Sequence, residues 1–174
     1  MSGDDEALAQ DLDRIAEQER RLQFDRFDAG VAWTIGVRLK EEAEKRGASV
    51  AIDIQLHGQP VFFFAMPGTT PDNVDWIRRK RNVAARFFRS SYAMGLSLQR
   101  QKTTLQAKVG ADPRDHATHG GAFPISLGNA GCIGTITVSG LPQREDHDLV
   151  VKVLADLLGQ PYASLALDRS DRPE

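Results

Sequence analysis

The sequence predicts an α/β (α+β) protein in three layers: a central antiparallel sheet of about five strands with helices on its faces. Three observations carry that expectation. Two pairs of strand-like runs are each joined by a short turn, Ser49–Leu56 to Pro60–Met66 and Ala122–Leu127 to Cys132–Ser139. Several long segments repeat apolar residues at helical spacing. Helical and strand-like segments come in blocks, which places neighbouring strands side by side and antiparallel.

Taken in order, Asp4 to Leu22 reads as a helix with Leu8, Leu12, Ile15 and Leu22 along one stripe. A second helix starts at Asp28, an N-cap residue type, and runs to Arg46 before Gly47. Val31, Ala32, Ile35, Leu39 and Ala43 share its apolar face, while Trp33 and Val37 lie beyond it. Val50, Ile52, Ile54 and Leu56 then alternate with Ala51, Asp53 and Gln55, and His57-Gly58-Gln59 turns the chain into a run with three phenylalanines. Thr70 and Pro71 open a long helix to about Ser90, with a bent or interrupted continuation expected through Tyr92–Gln101. Thr103–Gly121 is polar and broken by Gly110 and Pro113, so it reads as loop with short helical turns. Two or three more strands follow, and Gly140-Leu141-Pro142 leads into a last helix ending at Leu158.

Composition narrows the partners. A chain of 174 residues suits one domain with short tails. The net charge is −2 at pH 7 and the isoelectric point about 6.1, so no general positive field exists to hold nucleic acid or an anionic membrane. Neither is expected as a partner. No apolar run approaches the ~20 residues of a spanning helix. Met1–Glu6 is acidic and lacks the apolar core of a signal peptide, and the single cysteine, Cys132, suits a reducing compartment. The cytoplasm is the expected location.

Three constellations carry chemistry. The helix Trp76–Ser91 sets Trp76, Ile77, Val83, Ala84, Phe87 and Phe88 on one face and Arg78, Arg79, Asn82, Arg86 and Arg89 on the other. Such an arginine face is either a solvated surface with ion pairs or a site for a carboxylate, a phosphate or an acidic subunit face. Lys80 falls inside the apolar arc, where a lysine needs a buried acid such as Asp53, a route to solvent, or a ligand. His119-Gly120-Gly121 before the strand Ala122–Leu127 puts an imidazole beside backbone that can approach closely, either as a structural turn or as a site for an anion or a metal's axial position. His147 shares the last helix's apolar face with Val150, Val151, Leu154 and Leu158, and is a satisfied core residue or a pocket residue in the first turn. His116, His119, Asp112 and Asp115 make a poor metal set without thiolates, so no metal is expected. Phosphate-loop, dinucleotide and nucleophile-elbow patterns are all absent.

Trp76-Ile77-Arg78-Arg79-Lys80, His119-Gly120-Gly121-Ala122-Phe123-Pro124 and Ser139-Gly140-Leu141-Pro142, with Ala48–Asp53 and Asp146-His147, resemble the haem-degrading (HbpS/GlcG-like) domain family, and within it a small subgroup with these signatures. The resemblance covers roughly Leu39 to Leu158. It divides the chain into an N-terminal helix over 1–27, the family domain over 28–168 and a frayed tail over 169–174. It implies symmetric homo-oligomers built from dimers, and haem as a possible ligand. No haem-ligating residue is placed by matching motifs.

The expected function is therefore a homo-oligomer binding a small anionic or haem-like ligand. Lys80, Arg78, Arg86, His119, Gly120, Gly121 and His147 are the candidate ligand-binding residues, and the pocket is expected near Lys80, the His119 turn and the start of the last helix. Two alternatives stand beside it. One is a small-acid enzyme with His119 or His147 as acid–base; the other is a scaffold whose first helix and arginine face bind partners.

Overall fold

The computed structural model describes residues 3–168. In chain order it holds α1 (Gly3–Arg21), α2 (Ala29–Lys45), β1 (Ala51–Leu56), β2 (Gln59–Ala65), α3 (Pro71–Phe87), α4 (Ser91–Arg100), α5 (Leu105–Val109), β3 (Ala122–Leu127), β4 (Gly131–Ser139), α6 (Gln143–Leu157) and α7 (Tyr162–Leu165). The tail expected over 169–174 lies outside the described residues.

The strands form one antiparallel sheet in the order β2-β1-β4-β3. Among the described residues the sheet has four strands, close to the expected five or so. The outer edge of β3 is met instead by a single-residue bridge, in which Phe24 N–H donates to Ser126 O at 2.9 Å and Gly128 N–H to Phe24 O at 3.3 Å.

Strand alternation gives the sheet two unlike faces, both covered. Ile52, Ile54, Phe123, Ile125, Ile136 and Val138 join Ile35 and Leu39 of α2 and Val150 and Leu154 of α6 in the main core. The opposite face, beneath α3, is polar: Asp53 pairs with Thr137 across the strands, Gln55 with Thr135 and Ala51 with Ser139. Helix α3 lies across this seam. It meets it with Lys80 and Arg81 as well as Ile77 and Ala84, because a buried polar row needs polar partners.

Local signals explain the helix ends. Asp28 caps α2 by accepting from Val31 N–H at 2.9 Å, and Thr70 with Asn73 forms a capping box at α3, with Pro71 at its first position. Helix α3 stops at Phe88, which takes a left-handed conformation with φ 55°; Ser90 then caps α4. The expected interruption is thus a break between two helices. Helix α1 packs Ile15 against Tyr92, Ala93, Leu96 and Leu167 in a second, smaller core.

Candidate functional site

Asp72, Asn73, Trp76 and Lys80 recur about every turn along one stripe of α3. Facing them, β4 ends at Ser139-Gly140 and the chain turns through Leu141-Pro142 into α6. His119 and Gly120 close the third side. Together these segments bound a cleft of about 430 Å³, within the range of small-molecule sites.

The cleft's floor is a buried ion pair. Lys80 Nζ donates to Asp146 Oδ2 at 3.0 Å, Gly120 O at 3.0 Å and Val138 O at 2.6 Å, so its three N–H groups are all committed. Asp146 Oδ1 accepts from Leu141 N–H at 3.0 Å. Burial pushes the Asp146 carboxyl up to about 6, against the pull of the Lys80 charge and the Leu141 hydrogen bond. Burial likewise lowers Lys80, with Asp146 opposing.

Above the floor stands an exposed imidazole. The His119 and Trp76 rings stand in a T-shaped contact with centroids 4.9 Å apart, and the Arg79 guanidinium lies over the Trp76 ring, 4.1 Å from its centroid. The first turn of α6 also opens here. Its N-cap is Pro142, which has no side chain able to accept. Glu145 and Asp146 N–H both reach Pro142 O at 2.9 Å. The N–H groups of Gln143 and Arg144 have no acceptor among the described residues, and Gln143 lines the cleft. Donors of this kind at the positive end of a helix favour an anion.

The structure thus brings Lys80, His119 and Gly120 together at one cleft, with Gly121 packed beneath. A Cβ on Gly121, whose φ is +135°, would stand 2.5 Å from both Lys80 Nζ and Val138 O. Arg78 and Arg86 lie elsewhere. Arg78 is held by Asp75, by Asp115 at 2.8 Å and by Arg114 O at 2.9 Å, and Arg86 is exposed with its guanidinium 5.4 Å from the Phe87 ring. His147 is buried between Tyr92 and Phe123, its Nε2 2.7 Å from Gln18 Oε1. The Gln18 amide nitrogen donates to Leu165 O, which turns its oxygen toward the ring and makes Nε2 the protonated nitrogen. Burial lowers the imidazole to about 4.

Sequence reading missed Asp146 as the partner of Lys80. It proposed Asp53, which pairs with Arg81 at 3.0 Å instead. The signal was there: Asp146 precedes Val150 by four residues and Val153 by seven, on the inner arc of α6. Asn73 had no sequence signal of its own, and Ser139 stood out only as part of the Ser139-Gly140-Leu141-Pro142 segment. Among the described residues no group of three or more metal-ligating side chains exists, and no helix is long and apolar enough to cross a membrane.

The family model described as haem degrading protein HbpS-like matches residues 27–155. The chain belongs to this HbpS-like family. A UPF0303 protein of Azotobacter vinelandii is 55% identical over 161 residues, 92% of this chain and 97% of the relative. The crystal structure of Ybr137w is similar with a TM-score of 0.79 and 31% identity, over 85% of this chain and 87% of that one. HbpS itself matches at a TM-score of 0.61 and 20% identity, over 79% of this chain and 94% of that one. A PduOC:heme complex matches at 0.58 and 18%, over 70% and 87%. These last two share the fold.

The family's name raises haem, and the cleft tests it. A haem site needs an axial donor, apolar walls and cations for the propionates. His119 supplies an imidazole, and Trp76, Leu141 and Pro142 supply some apolar wall. The remaining walls are Asn73, Ser139 and Gln143 with the carboxylates Asp72 and Asp146, and the Lys80 ammonium is saturated. The residues of one protomer do not fit an enclosed haem.

Proposed function

We propose that this HbpS-like protein is a cytoplasmic homo-oligomer that binds a small organic acid in the cleft between the first turns of α3 and α6. The uncapped N–H groups of Gln143 and Arg144 beside the exposed His119 carry this reading. A carboxylate capping α6 satisfies those donors, and the imidazole and the Asn73 amide then hold its polar substituents. The Lys80–Asp146 pair contributes no net charge and keeps the floor rigid. An NMR titration with two- to four-carbon carboxylates tests it: the Gln143 and Arg144 amides shift saturably, and His119→Ala weakens binding about tenfold. The absence of any saturable shift contradicts the reading. A His119-dependent Soret shift with haemin would move it to haem, which the PduOC:heme relative makes the natural control.

Self-association is the second part of the proposal. Strand β2 is a sheet edge with unpaired backbone, and Trp33, Phe63 and Phe64 around it are 64%, 48% and 37% exposed. An open edge flanked by aromatics suits pairing with a second copy.

An enzymatic reading has one observation in its favour, the carboxyl of Asp146 raised to about 6 in the wall of the cleft. Turnover of a small acid with an apparent pKa near that value, lost in Asp146→Asn, would establish it.

A further inference from the structure

Helix α3 carries a second cleft toward its other end, of about 380 Å³. The two clefts share no lining residue, and the consecutive side chains of Lys80 and Arg81 turn one to each, so the two are separate. Its polar floor is the other end of the seam beneath α3. Lys80 and Arg81 are consecutive, and each meets a buried acid, but they are used differently. Every N–H of Lys80 is committed. Arg81 gives only Nη1, to Asp53 Oδ2 at 3.0 Å. With the Gln55 amide turned to satisfy both its atoms, the Gln55 oxygen accepts from the same Nη1 at 3.0 Å and its nitrogen donates to Gly58 O at 3.2 Å. The Nε and Nη2 edge of the guanidinium makes no hydrogen bond among the described residues, and the side chain is 22% exposed. That edge is the two-donor fork that matches a carboxylate.

Ala85, Phe88 and Ile133 give the rim an apolar side, and two rim residues are held against backbone preference. Among the described residues, three other than glycine have positive φ: His57, Phe88 and Lys102. Two of them, His57 and Phe88, line this cleft. Phe88 ends α3 at φ 55°, where glycine is the unstrained choice, and its ring is left 62% exposed. An aromatic in such a position presents a flat apolar surface beside Ala85 and Ile133. Cys132 also faces the cleft, but its thiol donates to Gly134 O at 3.4 Å and burial raises its pKa, which disfavours the reactive thiolate.

We infer that this cleft is a second binding site, for a flat monocarboxylate such as an aromatic acid, with the carboxylate on the Nε–Nη2 edge of Arg81 and the ring against Phe88. The buried Asp53 charge fixes the guanidinium and offsets part of its field. One further negative charge is accommodated; a phosphate dianion is disfavoured.

Benzoate is the probe, followed by NMR on the full chain, with inorganic phosphate in parallel. Benzoate shifts the Arg81 Nε–H, the Gln55 side-chain amide and the Phe88 backbone amide saturably, and phosphate at equal concentration does not. Arg81→Lys keeps a cation on Asp53 yet removes the fork, and it weakens benzoate at least tenfold. Phe88→Gly relieves the left-handed backbone, so the variant melts no lower than wild type while binding benzoate about tenfold more weakly. The midpoint of the benzoate shifts at Arg81, Gln55 and Phe88 is independent of any benzoate shift at Gln143 and Arg144 of the first cleft. No saturable shift at these groups, shifts confined to Gln143 and Arg144 of the first cleft, or equal affinity in Phe88→Gly would each overturn the inference.

Discussion

Lys80 and Asp146 meet at 3.0 Å with 3% of each side chain exposed. Through Gly120 O, Val138 O and Leu141 N–H the pair ties α3, the glycine turn, the end of β4 and the start of α6 to one point. A buried pair of this kind adds little net stability, because desolvation offsets the attraction, but losing one partner strands a charge.

Lys80→Met should therefore destabilise the fold by about 3–5 kcal/mol. The double variant Lys80→Met/Asp146→Leu should recover most of that loss. Denaturant unfolding of the two proteins checks this; equal losses in both would show that the pair's hydrogen bonds to the backbone, and not the stranded charge, dominate.

Gly121 is where the chain has no side chain to spare. Gly121→Ala combines a φ of +135° with a Cβ 2.5 Å from Lys80 Nζ and Val138 O, so the turn or the lysine must move. We expect a marked drop in melting temperature and loss of carboxylate binding. Wild-type stability and binding in this variant would contradict the described packing.

His147 predicts an acid-sensitive window. Its imidazole is lowered from 6.5 to about 4, chiefly by burial. The unfolded chain thus takes up a proton that the folded protein refuses. The stability from keeping it neutral is complete above pH ~6.5 and falls as pH drops toward ~4, by on the order of 3 kcal/mol over the full range. Asp146 works the other way, since its raised carboxyl protonates first in the folded state below about 6. Comparing wild type with His147→Gln between pH 7 and 4.5 isolates the histidine: wild type should lose ground to the variant on acidification, and parallel curves would refute the assignment.

Much of this architecture is written locally in the sequence. Asp28, Thr70 and Pro71 set helix starts through hydrogen bonds and a fixed φ that depend on neighbours a few residues away. The alternation of Ile52 and Ile54 with Asp53 and Gln55 set the two faces of β1. Lys80 was legible as a buried cation, and the cleft's position followed from it and the His119 turn. Its partner was less so, since Asp146 lies 66 residues along the chain and also reads as an ordinary acidic residue at a helix start. Arg78 and Arg86 resembled ligand groups because their spacing is helical, whereas Asp115, which holds Arg78, comes from a loop without periodicity. Whether His147 faces inward or toward the cleft turned on one step of about 100° around α6.

The exposed aromatics make a prediction about mass. Trp33→Glu together with Phe64→Glu should shift the protein to a smaller species by light scattering while leaving its circular dichroism unchanged. An unchanged mass would remove the β2 edge from the assembly.

Small-acid binding in this cleft is read most directly from the His119 Cε1–H resonance during titration with succinate. A bound acid shifts it saturably, together with the Gln143 and Arg144 amides and with the same midpoint. An imidazole resonance that stays still while succinate reaches high millimolar concentration would mean that this cleft holds no small acid.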